Sequence, residues 1–353
     1  MVNLDDLEVY KQLDPSDMLA RIHELPQQCR QAWQRALEFE LPSDYCGVDK
    51  VVILGMGGSA IGGDFLRTLV ALENGPLVFV HRDYELPPFV DGNTLVIASS
   101  YSGNTEETLS AFGQALEGQA KKLAITTGGK LKDLAEERGI PLFTIDYTAP
   151  PRAALVYSLV SLLGICQRLG FLADKSKDMA EMAEVLEELS PKIGENAPQA
   201  QNPAKQLASQ LLGRVGVIYG AGTLSEVAHR WKTQLNENSK NWAFYEIFPE
   251  LNHNAVVGYE FPPEVADKIF VVLLRSPSLH PRILMRYQIT SDILQRARIS
   301  YQIVEATGEG ILSQMLSLVL FGDYVSYYLA LLNETDPSPV RAIDYLKTRL
   351  AEA

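Results

Sequence analysis

Cysteine is scarce in this chain and forms no pattern: Cys29, Cys46 and Cys166 lie far apart among 353 residues, and their number is odd. They form no CxxC pair, and no metal-ligand spacing joins them to the five histidines. That excludes a disulfide framework and a zinc ribbon, and it predicts buried free thiols in a reducing compartment. Positive charge is also in deficit, with 31 lysines and arginines against 44 aspartates and glutamates, a formal net charge of −13. So acidic a surface repels DNA, RNA and anionic lipid, so neither nucleic acid nor a membrane is expected as a partner. Any anionic ligand must be held by a local site working against that field. The opening segment MVNLDDLEVYKQLD is acidic and has no apolar run of the signal-peptide kind. Two apolar stretches remain. Residues 154–165 are too few to cross a bilayer, and 311–332 carry Gln314, Asp323 and several serines, so both are expected as buried helices. The expected setting is the cytoplasm.

What is present is ordinary globular material, 46% hydrophobic and 21% charged, in a chain long enough for two domains. After about fifty residues of amphipathic helical pattern comes KVVIL at 50–54, an unbroken apolar run of the kind found in strands covered on both faces. Further strand-like runs fall at 77–80, 94–98, 122–126 and 141–144. Helical patterns separate them, ending at Leu72 and spanning 105–116 and 131–138, with an apolar helix over 152–169. This alternation predicts a parallel sheet wrapped by helices. Residues 175–205 turn charged and then polar, which predicts a connecting helix and a linker. A second strand at 214–219 (RVGVIY) then ends in a glycine turn and feeds a helix. Strands follow at 268–274 and 301–304, and helices at 281–298 and 310–332. The openings KVVILGMGGSAIGG and RVGVIYGAGTLSEV share an outline, which predicts a duplicated α/β unit. The expected fold is α/β, with two subdomains, each a mainly parallel sheet flanked by helices in three layers. The expected divisions are an N-terminal helical segment (1–48), a first subdomain (49–170), a connecting helix and linker (171–205), a second subdomain (206–335) and a C-terminal helix (336–353).

Three turns at strand ends can hold an anion. Gly55-Met-Gly-Gly58-Ser59 lets backbone N–H groups approach a ligand at the positive end of a helix dipole. Gly55, Gly57 and Ala60 also fit a loose dinucleotide fingerprint. The second turn, Ser99 to Thr108 (SSYSGNTEET), offers hydroxyls at Ser100, Ser102 and Thr105 around Gly103 and opens a helix. Hydroxyls and helix-terminal amides together bind a phosphate without a lysine. Helix capping by Ser102 or Thr105 accounts for one or two of these residues but not for all of them. The third turn, Thr126-Thr-Gly-Gly-Lys130, lies on the same expected sheet edge.

The segments GMGGSAIGGD, SSYSGNTEET, TTGGKL, APPRAA, NENSK and ELNHN, in this order, resemble the sugar isomerase (SIS) domain proteins. Most closely they resemble the bifunctional phosphoglucose/phosphomannose isomerases, a branch of the phosphoglucose isomerase superfamily, over about 51–347. SxSGxT alone marks a sugar-phosphate SIS domain. The glutamate of NEN, with the histidine of ELNHN sixteen residues on (237 to 253), is selective for the isomerase branch. The resemblance implies two SIS-type subdomains, a homodimer with shared active sites, and no metal or organic cofactor. It implies interconversion of glucose 6-phosphate or mannose 6-phosphate with fructose 6-phosphate, a reaction of glycolysis and gluconeogenesis. By the same resemblance Gly58, Ser59, Ser100, Ser102 and Thr105 hold the substrate phosphate. Glu237, His253, Arg152 and Lys347 are then the catalytic positions, Lys347 through the tail match DPSPVRAIDYLK, and the histidine comes from the neighbouring subunit.

The residue types suit the chemistry. Aldose–ketose isomerisation moves a proton between C1 and C2 through a cis-enediol, and a carboxylate such as Glu237 can take that proton and return it next door. Arg152, behind Pro150-Pro151, is a permanent cation for the enediolate, or else a surface salt-bridge partner. His253 carries an imidazole that can shuttle a proton in ring opening, or it can be a hydrogen-bonded loop residue. Lys347 can donate to the ring oxygen, although by position it is a solvated helical lysine. Four other readings compete. A non-catalytic SIS regulator needs the hydroxyl loops but not the base, arginine and histidine. An isomerase of another sugar phosphate would share every motif. A dinucleotide-dependent oxidoreductase needs an acidic residue ending the second strand, where Asp83 fits poorly, and leaves Ser100–Thr105 unexplained. A glutamine-dependent aminosugar synthase would need a glutaminase domain for which these residues leave no room.

Overall fold

Valine, isoleucine and leucine runs bounded by glycine turns form the strands in both halves of the molecule, as seen in a computed structural model that describes residues 2–352. Helices α1 (Leu7–Leu13), α2 (Met18–His23) and α3 (Leu25–Glu38) lead into β1 (Lys50–Leu54), α4 (Gly57–Val70) and β2 (Leu77–His81). Then come β3 (Thr94–Ser99), α5 (Glu106–Leu116), β4 (Lys121–Thr126), α6 (Gly129–Glu137), β5 (Leu142–Thr144) and α7 (Leu155–Arg168). After α8 (Ser176–Ile193) and α9 (Pro203–Leu211), the pattern restarts with β6 (Val215–Ala221), α10 (Ser225–Glu237) and β7 (Ala243–Phe248). It ends with β8 (Ile269–Arg275), α11 (Pro281–Arg296), β9 (Ser300–Glu305), α12 (Ile311–Leu332) and α13 (Arg341–Ala351).

Two units result. The first holds Glu24–Glu184 with Gly310–Ser313; the second holds the residues before Glu24, Val185–Glu309 and Gln314 onward. The first unit's sheet has the order β2-β1-β3-β4-β5 and the second unit's β7-β6-β8-β9, with every pairing parallel. The second order repeats the first four strands of the first, so the duplication expected from the two opening segments holds at the level of topology. The N-terminal segment expected at 1–48 is divided between the units, with α1 and α2 in the second and α3 in the first.

In the first unit Val52, Val96 and Ala98 bury one face of the sheet with Phe112 of α5 and Leu131 of α6. Val51, Ile53, Leu95 and Ile97 are buried as well, so both sheet faces are covered. Small residues let the covering helices cross closely. A methyl added at Gly62 of α4 would lie 2.9 Å from Ser158 of α7, and one at Gly164 of α7 would lie 2.5 Å from Ala36 of α3. In the second unit α12 is long and apolar enough to cross a membrane by length and composition alone, yet it is buried. Its Asp323, a residue that argued against a membrane span, accepts hydrogen bonds from Arg230 at 3.1 Å and Gln234 at 2.8 Å, both on α10. A buried carboxylate is tolerated only with such partners.

Several expectations are corrected here. The apolar helix read from 152 starts as a 3-10 turn, Pro151–Ala154, and becomes α-helical at Leu155. Pro150 is held extended, at φ −56° and ψ 139°, by the proline that follows it, so the chain enters through a tight turn. Strand β7 lies in a stretch read without a strand. Cys46 is exposed, whereas Cys29 and Cys166 are buried as expected, and burial pushes both of those thiols up to about 12.

Candidate active site

Strand order reverses beside β1, because the chain goes outward to β2 and then returns to β3 on β1's other side. In open parallel sheets ligands collect in the crevice outside the carboxyl ends of the strands at this point. The two turns that flank it here are the glycine turn after β1 and the serine-rich turn after β3. They lie close together, since a methyl on Gly55 would sit 2.9 Å from the Ser99 carbonyl. Gly58 and Ser59 form the first turn of α4, with Ser59 largely buried. Ser100 is buried and Thr105 half-buried, and their hydroxyls meet at 2.9 Å. Ser102 is exposed and its Oγ accepts the Asn104 N–H at 3.3 Å. All five expected phosphate-binding residues therefore stand on two adjoining turns of the first unit.

The capping explanation fails on geometry. Thr105 sits at the N-cap of α5 yet makes no side-chain capping bond; its hydroxyl is turned to Ser100. The N-terminus of α4 likewise has no side-chain cap. Each helix start carries N–H groups without intrahelical acceptors, an arrangement that suits an anion. The third turn does something else. At the start of α6 the N–H of Lys130 donates to Asn104 Oδ1 (3.1 Å) and that of Leu131 to the Gly103 carbonyl (2.9 Å). Its amides are thus spent on holding the serine loop. Gly103, at φ +66°, packs so tightly there that a methyl would lie 1.7 Å from the Gly128 carbonyl, which only glycine allows.

Arg152 stands in the 3-10 turn beside these turns and is 3% exposed, so it is not a solvated surface side chain. A methyl on Gly58 would lie 3.3 Å from the Pro151 carbonyl and 3.9 Å from Arg152 Cα, so α4's first turn bears directly on the arginine's backbone.

Glu237, His253 and Lys347 belong to the second unit. Glu237 is half-buried as the last residue of α10 and lines a cavity of about 750 Å3 with Asn236, Lys240, Asp336 and Arg341. A carboxylate at a helix C-terminus faces the negative end of the dipole, and no basic residue occupies that last turn. Stability alone would not select it there. Lys240 fixes the turn by donating from Nζ to the Glu237 carbonyl (2.6 Å) and the Pro337 carbonyl (3.0 Å). Asn238 donates to Ser326 of α12 at 3.0 Å. Sequence reasoning missed Lys240 as a site residue, although it closes the NENSK segment. His253 is exposed in the 3-10 turn Glu250–His253 beyond β7's carboxyl end, whereas α10 delivers Glu237 near that strand's amino end. Six strand residues span about 20 Å, so a single copy does not bring the two together. Lys347 is exposed on α13, a helix with no buried residue, and only the first turn of that helix reaches the Glu237 cavity.

Residues 46–163 match the SIS domain model, and residues 200–350 match the model for the bacterial phospho-glucose isomerase C-terminal SIS domain. The chain is 43% identical over 336 residues to a bifunctional phosphoglucose/phosphomannose isomerase of Caldicellulosiruptor bescii, covering 95% of this chain and 99% of that protein. A protein of the same description from Aquifex aeolicus is 36% identical over 313 residues, covering 88% and 93%. Among solved structures, a hypothetical protein of Thermus thermophilus superposes with a TM-score of 0.72 at 18% identity, covering 98% of this chain and 94% of that one, which speaks for the fold. The two parallel sheets are thus SIS-type domains, and the chain belongs to the bifunctional phosphoglucose/phosphomannose isomerase family.

Proposed function

We propose that the protein interconverts glucose 6-phosphate and mannose 6-phosphate with fructose 6-phosphate. The observation that carries this reading is the crevice of Ser59, Ser100, Ser102 and Thr105 between two uncapped helix starts, with the buried Arg152 beside it. The 6-phosphate takes the hydroxyls and amides, which leaves the sugar's C1–C2 end for the charged groups. Glu237 removes the proton from C2 of the aldose and returns it to C1; the reverse reaction uses the same carboxylate. Arg152 stabilises the negative charge that develops on the enediolate oxygen. His253 and Lys347 serve ring opening, His253 by shuttling the hydroxyl proton and Lys347 by donating to the ring oxygen.

The strand-length separation of Glu237 from His253 supports a homodimer in which the histidine is supplied by a second copy. The chemistry requires no organic cofactor or metal, and the same proposal places the protein in the cytoplasm. A regulator that only binds sugar phosphates would leave the burial of Arg152 and the helix-end carboxylate without a purpose. A coupled assay of the purified protein with each aldose 6-phosphate, with and without chelator, tests the reading. Turnover of both that survives chelation supports it, and binding without turnover contradicts it.

A further inference from the structure

Tyr101 lies between two phosphate-loop serines, yet its side chain reaches away from them. Its phenol hydroxyl donates to the Tyr147 carbonyl and accepts the Ala149 N–H, the latter at 2.9 Å. Ala149 is followed by Pro150, Pro151 and Arg152. Two proline rings fix φ at both intervening residues, so a restraint at Ala149 is transmitted to Arg152 with little slack. The far end of this strap is anchored too. The Tyr147 hydroxyl donates to Glu24 Oε2 at 2.7 Å and accepts from Gln28 at 2.8 Å, and its ring stacks on Tyr157 with centroids 5.0 Å apart. The loop end is held by Thr127, whose N–H and hydroxyl donate to the Tyr101 carbonyl at 3.0 and 2.8 Å.

We propose that Tyr101 is a positioning residue, whose hydroxyl sets Arg152 in register with the loop that grips the phosphate. The inference rests on the proposed roles of that loop and of Arg152. A sugar phosphate clamped at C6 presents its reacting oxygens at a fixed reach, so the guanidinium must stand at a matching distance from the clamp. Misplacement by about 1 Å is enough to cost on the order of a hundredfold in rate.

The test is a double-mutant cycle with Tyr101→Phe and Arg152→Ala, each normalised to its folded fraction by thermal unfolding. Tyr101→Phe is expected to lower kcat roughly tenfold, while KM and the inhibition constant for inorganic phosphate move less than about threefold. In the Arg152→Ala background the same substitution is expected to change kcat less than about twofold, because no guanidinium remains to be placed. Full kcat in Tyr101→Phe, a weakening of phosphate inhibition equal to the loss in kcat, or the same tenfold loss in both backgrounds would overturn the inference. Unimpaired turnover in Arg152→Ala alone would instead overturn the role of Arg152, which separates the two failures.

Discussion

The two units share the order of four strands and one opening, a strand, a glycine turn and a helix, but the proposed mechanism uses opposite ends of that helix. In the first unit the turn after β1 meets the turn after β3 in a crevice of hydroxyls and uncapped helix starts. In the second unit the equivalent turns differ. Leu279, from the turn after β8, is buried, and a methyl at Gly222 would lie 3.3 Å from it, so an apolar side chain sits where the first unit keeps hydroxyls. There the proposed base, Glu237, stands at the other end of α10, on its last turn. The difference teaches that a duplicated α/β unit can divide labour by helix polarity. The positive N-terminus suits a phosphate, and the C-terminus accepts a base that stability would not choose.

Substitutions in each unit break or sharpen this contrast. Glu237→Gln is expected to lower kcat by about a thousandfold, the middle of the range for a general base, with sugar-phosphate affinity nearly unchanged. Steady-state kinetics with ligand titration checks both halves of that statement. Arg152→Ala should lower kcat by about a hundredfold, as loss of one group aimed at a developing oxyanion does, measured in the same assay. Leu279→Ala probes the second unit's equivalent turns. It should reduce unfolding free energy by about 2 kcal/mol in denaturant titration and leave KM unchanged, since that position packs and does not bind. Ser100→Ala with Thr105→Ala should raise KM roughly tenfold at nearly constant kcat, from the loss of hydrogen bonds to a charged group. A change in kcat without one in KM would return those hydroxyls to a structural role.

Much of the first unit was legible because its central strands β1, β3 and β4 are largely buried on both faces and therefore read as apolar runs. KVVIL, for example, gives β1 without error. Strand β7 was not legible. It is an edge strand whose Phe244, Tyr245 and Ile247 are exposed, so neither an apolar run nor clean alternation marks AFYEIF. Arg152 was legible as a residue but not in its setting, because the diproline lead-in gives a 3-10 turn in place of a helix start. The serine loop showed its hydroxyls in the sequence. That Thr105 would turn its hydroxyl to Ser100 five residues back is a choice of loop geometry, and that α6 would spend its amides on Asn104 and Gly103 depends on contacts between segments more than 25 residues apart. The role of Tyr101 was hidden for the same reason, since its partners at 147 and 149 are distant in sequence.

The most direct test of the division of labour follows the proton itself. Fructose 6-phosphate is incubated in deuterium oxide with the native protein and with Glu237→Gln, and deuterium at C1 is followed by NMR. The account requires incorporation by the native protein and at least a hundredfold slower incorporation by the variant, with the variant still binding the sugar phosphate. Incorporation by the variant at the native rate would contradict it.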